Sequence, residues 1–342
     1  SFKHIYNAAG KGRKDTEEPC RWNNTRQDQT LGGFRVEYCP LSLEHQHPYR
    51  RLLAVTPEKS SDYSFVTLWG WHSYAGYEMA FGYGLAWLKI NREGKVFRGC
   101  PVGDWGEVDW NRLMPEEFPE GAVFERVPSR LASLLERTFP GRVELEPQRA
   151  EWEYVYSVKD LVGLQGNRYH KKKNLFRQFL RDHDWVFEPM ASETIPEVLA
   201  MQAEWCAWKN CSGSESLAAE NEAVKRVLGS WGDLEGLLGG IIRVDGTIVA
   251  YTVAERFSPD TLVIHFEKGN PAFKGIYQAI NQVFLEREGS GFAWVNRQQD
   301  AGLSWRFTHD GSLFGSRNSF VLGGFFGWGK SYGTVDNTLP GA

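Results

Sequence analysis

With 342 residues, 42% hydrophobic and 24% charged, the chain has an ordinary globular make-up and room for two domains. A formal net charge of -4 excludes wholesale coating of nucleic acid, DNA included, but leaves room for a local basic patch. No apolar run reaches bilayer-spanning length, and Ser1 to Asp15 has no apolar core, so the sequence predicts neither a transmembrane segment nor a signal peptide.

Residues 1 to 32 are polar and irregular. Leu41 to Val55 reads as a helix opened by Pro40 and Ser42 and closed near Pro57. Tyr63 to Trp71 is aromatic and strand-like; Tyr77 to Phe81 and Leu85 to Ile90 form a strand pair, and Val96-Phe97 adds another. Met114 to Gly121 reads as a loop, Ser129 to Phe139 as an amphipathic helix, and Val143 to Leu145 and Trp152 to Tyr156 as short strands. Asp160 to Gln165 is a short helix at the junction of two predicted domains, 1–158 and 159–342. Gly166 to His183 is a longer helix carrying Arg168, Lys171, Lys172, Lys173, Arg177 and Arg181. Three consecutive lysines sweep about 300° of a helix, so they form no single flat patch. A solvated helix face is the common explanation of such a run, and a phosphate-rich partner is the sharper one. Trp185 to Glu188 is a strand, Ile195 to Lys209 a helix, and Ser216 to Trp231 another with Ser216 at its N-cap.

The stretch from Leu237 to Asp300 carries the chemistry. Leu237 to Val244 and Ile248 to Arg256 make a hairpin through Asp245-Gly246. Thr261 to Lys268 is a third strand, Lys274 to Glu288 a helix, and Phe292 to Val295 a strand leading into Asn296-Arg297-Gln298-Gln299-Asp300. His265 and Glu267 lie two apart, which predicts one shared face. A buried carboxylate needs a partner, and Arg297 and His265 are the candidates because Lys268 points the other way. The turn Pro271 to Gly275 predicts free N–H groups aimed at the strand end, an anion site. A satisfied core pair is the ordinary explanation for either His265 or Glu267 alone. The whole set around one strand end, with Asn296, Arg297 and Asp300, favours a site. Its chemistry requires the imidazole, the acid and the guanidinium to meet in one wettable hollow. Five cysteines show neither metal-ligand spacing nor a disulfide framework, so the expectation is reduced thiols, no metal and a cytoplasmic location. No reading emerges for the glycine-rich stretch from Ser312 to Ala342.

Strand, two helices, three antiparallel strands, helix, strand resembles the order of the GNAT-type N-acyltransferase fold. The fold class expected is α+β, with tandem GNAT-like domains and mixed, mostly antiparallel sheets flanked by helices. Several segments carry a closer resemblance. They are Asp62-Tyr63-Ser64-Phe65 with Leu68-Trp69, Asp160-Leu161 with Gly166 to Asn174, His265-Phe266-Glu267-Lys268 with Gly275-Ile276-Tyr277-Gln278 and Asn281, and Asn296 to Gly302. Together they resemble a bacterial family grouped with the C-terminal catalytic domain of phosphatidylglycerol lysyltransferase, over residues 41 to 302. The resemblance implies transfer of an aminoacyl or acyl group. The lysyltransferases take it from charged tRNA to a lipid hydroxyl and carry a membrane-spanning region that this sequence does not show. Leu303 to His309 departs from the family pattern.

For the donor, aminoacyl-tRNA and acyl-CoA are both open. Gly269 and Gly275, with Pro271 and Phe273 between, make a poor coenzyme A phosphate turn. Lys274 and Gly275, with Arg168, Lys171, Lys172 and Lys173, would hold donor phosphates or RNA. In the expected mechanism Glu267 is the general base, with His265 as second choice or orienting partner, and Arg297 stabilises the oxyanion. Asp300 or Glu220 grips a donor amino group, and Asn296, Tyr277, Asn281 and Lys268 line the substrate cleft. Partners would be charged tRNA and, peripherally, anionic lipid. The rival class is a degenerate module that binds a ligand without turnover.

Overall fold

The computed structural model describes residues 36–92, 95–146, 153–292 and the strand backbones at 294–297, 306–313 and 316–323. The first half comprises β1 (Cys39–Pro40), α1 (Gln46–Val55), α2 (Phe65–Ala75), β2 (Tyr77–Gly82), β3 (Leu85–Arg92), β4 (Lys95–Gly99), β5 (Val102–Gly103), α3 (Trp110–Glu117), β6 (Phe124–Glu125) and α4 (Ser129–Thr138). The second comprises β7 (Tyr154–Ser157), α5 (Val158–Gly163), α6 (His170–Asp182), β8 (Trp185–Pro189), α7 (Ile195–Lys209), α8 (Glu215–Gly229), β9 (Leu237–Val244), β10 (Thr247–Ser258), β11 (Thr261–Gly269), α9 (Ile276–Glu288) and β12 (Trp294–Arg297). A hairpin, β13 (Arg306–Leu313) with β14 (Ser316–Gly323), occupies part of the C-terminal stretch that the sequence left unread.

The first sheet runs β1-β2-β3-β4-β6, and β5 also pairs with β3; the second runs β7-β12-β11-β10-β9-β8. In each, an antiparallel meander (β2-β3-β4, β9-β10-β11) is followed by a helix and then a parallel strand (β6 on β4, β12 on β11). The fold is therefore α+β with antiparallel-dominated sheets flanked by helices. β7, on the N-terminal side of the expected junction at residue 158, pairs with β12 in the second sheet.

The helix α2 replaces the strand expected over Tyr63 to Trp71. Its side chains are apolar nearly all round, so no helical stripe is visible, and aromatic and β-branched residues mimic a strand. Ser64 caps the start by accepting from the Thr67 N–H, and Gly76 ends the helix at φ +58°. Phe65, Val66 and Leu68 are buried, and Gly70 lets α2 approach Ala223 and Val227 on α8. One hydrophobic cluster consequently joins Leu68 on α2 to Val224 on α8 and Val253 on β10.

Three other expectations change. The helix α3 takes in the first half of the loop expected from Met114 to Gly121: Asp109 caps it, and Pro115 is tolerated inside it. Val143 to Leu145 forms no strand. Ser214, not Ser216, caps α8 through the Leu217 N–H. The cysteines also depart from the reduced-thiol expectation. Asn210 ends α7 at φ +53°, which folds Cys211 back beside Cys206; the two form a disulfide with Cα atoms 5.1 Å apart. Cys39 is disulfide-bonded as well. Disulfides are rare in the cytosol, so the cysteines no longer argue for that compartment. Among the described residues, no helix is long and apolar enough to cross a membrane.

Candidate functional site

The strand β11 is buried along almost its whole length, so every polar side chain on it needs a partner. Its pairing with β10 runs Tyr251↔Lys268, Thr252↔Glu267 and Val253↔Phe266, then jumps to Ala254↔Ile264. His265 is the extra residue, a β-bulge that resets the alternation. His265 therefore faces α2, while Glu267 faces α9, and the shared face expected from their spacing does not exist.

Each side chain finds its own partners. His265 Nε2 lies 3.2 Å from Glu255 Oε2, and Nδ1 lies 3.4 Å from Thr67 Oγ1. Glu255 also accepts from Arg50 Nη1 at 2.8 Å and from the Ser64 hydroxyl. His265 and Glu255 are 2% and 1% exposed and so enclosed, while Arg50 reaches them from the surface; together these contacts bolt α1 and α2 to the second sheet. Glu267 instead accepts from Asn281 Nδ2 at 3.2 Å and keeps 9% exposure. The expected hollow holding the imidazole and the acid together is thus not formed.

The next residue, Lys268, points to the α7–α8 side. Its ammonium is 2.5 Å from Glu220 Oε1 and 4.4 Å from the centroid of the Trp205 ring. Both ions are buried, so each compensates the other's desolvation. Glu220 was expected to grip a donor amino group and Lys268 to line the cleft; here they engage each other. Trp205 Nε1 donates at 3.1 Å to the hydroxyl of Tyr277, on the first turn of α9. Tyr277 and Asn281 lie on one helix face, so the phenol and the carboxamide stand beside Glu267 as the i, i+4 spacing predicts. Burial raises the phenol pKa, and the Glu267 charge adds to this; Trp205, the Gly269 N–H and the Lys268 charge pull the other way.

The turn before α9 is not the open anion site expected. The Asn270 N–H bonds to Val249 O, Ala272 to the Asn270 side chain, Phe273 to Asn270 O and Ile276 to Phe273 O. Gly275 sits at φ +89°, and a Cβ there would lie 2.2 Å from the Leu175 carbonyl oxygen. Its missing side chain lets α6 pack against α9. Lys274 is exposed on this turn. On the α6 side, Arg168 pairs with Asp160 at 2.7 Å and lies over the Tyr169 ring. Lys171 is exposed, Lys173 is half-buried, and Lys172 is half-buried with its ammonium 5.9 Å from the Tyr156 ring centroid.

The backbones of Asn296 and Arg297, in β12, pair with Val263 and Ile264 of β11, while Asp300 lies outside the described residues. Among the described residues, the pairing of β11 with β12 ends at Ile264, so Glu267 and Lys268 lie beyond it. Sequence reasoning missed Glu255, Arg50, Ser64 and Trp205. Glu255 had a signal: it is the one acid in the apolar run from Ile248 to Glu255, and such a group demands a cation.

The family model described as phosphatidylglycerol lysyltransferase, C-terminal, matches residues 53–314. A conserved protein of unknown function from Bacteroides thetaiotaomicron is similar in structure, with a TM-score of 0.70 and 26% identity over 78% of this chain and 91% of that one. The C-terminal domain of a candidate lysylphosphatidylglycerol synthetase from Agrobacterium fabrum has a TM-score of 0.51 and 13% identity over 75% of this chain and 78% of that one, which shows a shared fold. No curated protein matches.

Proposed function

The chain belongs to the phosphatidylglycerol lysyltransferase C-terminal family, and on that premise we propose that it transfers an aminoacyl group from charged tRNA to a hydroxyl or amine acceptor. The observation that carries the reading is the Glu267 carboxylate, buried to 9% exposure, bonded by Asn281 and lying beyond the β11–β12 pairing. A carboxylate so placed acts as general base toward the acceptor as it attacks the donor ester. His265 is enclosed with Glu255 and Thr67, and in this reading serves structure rather than transfer. Arg297 and Asp300 keep the roles that the family resemblance implies, oxyanion stabilisation and amino-group recognition.

The α9 turn supports tRNA over acyl-CoA. Several of its N–H groups already bond within the protein, and Gly275 is pressed against α6, so the turn offers little to a pyrophosphate. Lys274 on that turn, with Arg168, Lys171, Lys172 and Lys173 at the start of α6, would meet RNA phosphates instead. The family suggests an anionic phospholipid as acceptor, met peripherally at its surface.

Thermal shift separates the donors. A ligand at 100 times its dissociation constant adds about 2.7 kcal/mol of stability. A non-hydrolysable aminoacyl-tRNA analogue should raise Tm, less so at high salt, while acetyl-CoA should not. Stabilisation by acetyl-CoA alone would overturn the donor assignment. The sealed state of His265 favours a second reading, a binding module without turnover; analogue binding with no aminoacyl transfer from charged tRNA would support it.

A further inference from the structure

Between α1, the β10–β11 turn and the segment entering β12 lies a cavity of about 430 Å³, lined by Arg50, Arg256, Phe257, Ser258, Pro259 and Phe292. That volume is ordinary for a small-molecule site. The cavity sits where β11 begins at Thr261, whereas Glu267 lies near the other end of that strand. The strand's rise sets the two about 20 Å apart. Arg50 reaches the cavity from α1. Its Nη1 donates to Glu255 Oε1 at 2.8 Å and to the Glu235 carbonyl at 3.0 Å, and its Nε lies 3.5 Å from Glu235 Oε2. Its Nη2 has no acceptor among the described residues. Gly236, at φ +83°, gives that nitrogen room, since a Cβ there would lie 3.1 Å from it. Arg256 is exposed, and its guanidinium has neither a hydrogen bond nor an ion pair among the described residues. The acids close by are engaged: Asp260 accepts from the Ser258 and Thr261 hydroxyls, and Glu255 from Arg50 and Ser64. Glu235, exposed beside Arg50, is the competing carboxylate. The ring walls are anchored, Phe257 against one hydrophobic cluster and Phe292 against another.

We propose that this cavity is a second ligand site, and that it binds a phosphate monoester carried on a flat ring, the chemistry shared by aryl phosphates and nucleoside monophosphates. Glu255 neutralises Arg50, so Arg50 supplies N–H donors and Arg256 supplies the net positive charge. These donors come from two elements, α1 and β10, and so from two sides. A tetrahedral phosphate has three oxygens to meet donors from separate directions, whereas a carboxylate takes its bonds in one plane. Free phosphate would leave the walls of Phe257, Pro259 and Phe292 unused. A ring attached to the phosphate covers them and gains from burying its own apolar surface.

Titration calorimetry of the full chain with phenyl phosphate, AMP and inorganic phosphate tests the site. Phenyl phosphate and AMP should each bind at least about 10-fold tighter than inorganic phosphate, and the tighter of the two identifies the kind of ring. Arg256→Ala should weaken both by about 10- to 100-fold with Tm retained, because Arg256 holds no other side chain in place. Glu235→Gln should tighten both by removing the competitor of the anion. Affinity for inorganic phosphate equal to that for the two esters would overturn the ring-bearing class. Heat from none of the three, or affinities unchanged in Arg256→Ala, would overturn the site itself. Binding is read here without any transfer, so its failure would leave the aminoacyl-transfer reading standing.

Discussion

The buried ion pair between Lys268 and Glu220 is the sharpest claim at the scale of single residues. Either charge left alone in that interior has lost its water without compensation. Lys268→Met should therefore destabilise the fold by about 3–5 kcal/mol, and Lys268→Met with Glu220→Leu should recover most of that loss. Urea denaturation checks both; a small effect of the single change would mean that water reaches the pair. Position along the chain made Glu267, Tyr277 and Asn281 legible, because strand order and i, i+4 spacing are written locally. The face that His265 occupies was not legible. A bulge depends on how β10 pairs with β11, and neither strand alone announces it.

Elements read well wherever the hydrophobic pattern had one dominant period. The limits of β9 and α7 were legible to the residue, and β10, β11 and α9 to within a few. The helix α2 failed because it is apolar almost all round, and α3 because Pro115 sits inside it. Gly275→Ala would put a Cβ into the Leu175 carbonyl at positive φ, and should cost roughly 1–3 kcal/mol by prising α6 from α9. Hydrogen exchange should then accelerate in the first turns of α9; unchanged exchange and stability would contradict the packing. Ser214→Ala removes the α8 cap and should cost about 1 kcal/mol in urea denaturation, whereas Ser216→Ala should be close to neutral.

At the scale of the molecule, two sheets of like order meet through α2, α8 and a shared apolar cluster. The order of elements was legible in the second half. The α2–α8 contact was not, since it joins residues more than a hundred apart in sequence. Burial there fixes an alkaline limit. Tyr49 donates to the Tyr63 carbonyl, and Tyr63 donates to the Glu125 and Arg126 carbonyls, both fully enclosed. Burial holds both phenols well above their ordinary value of 10.0. Above pH 10 the unfolded chain releases those protons and the folded chain keeps them, so stability falls as pH rises. Absorbance at 295 nm should show these phenols ionising together with loss of the far-ultraviolet circular dichroism; ionisation without unfolding would contradict their burial. The central claim, Glu267 as the base of an aminoacyl transfer, is tested most directly by the rate of transfer from charged tRNA to phosphatidylglycerol vesicles by the wild type and by Glu267→Gln. The account predicts a loss of about 100- to 10,000-fold with Tm and tRNA-analogue binding retained; undiminished transfer by Glu267→Gln would contradict it.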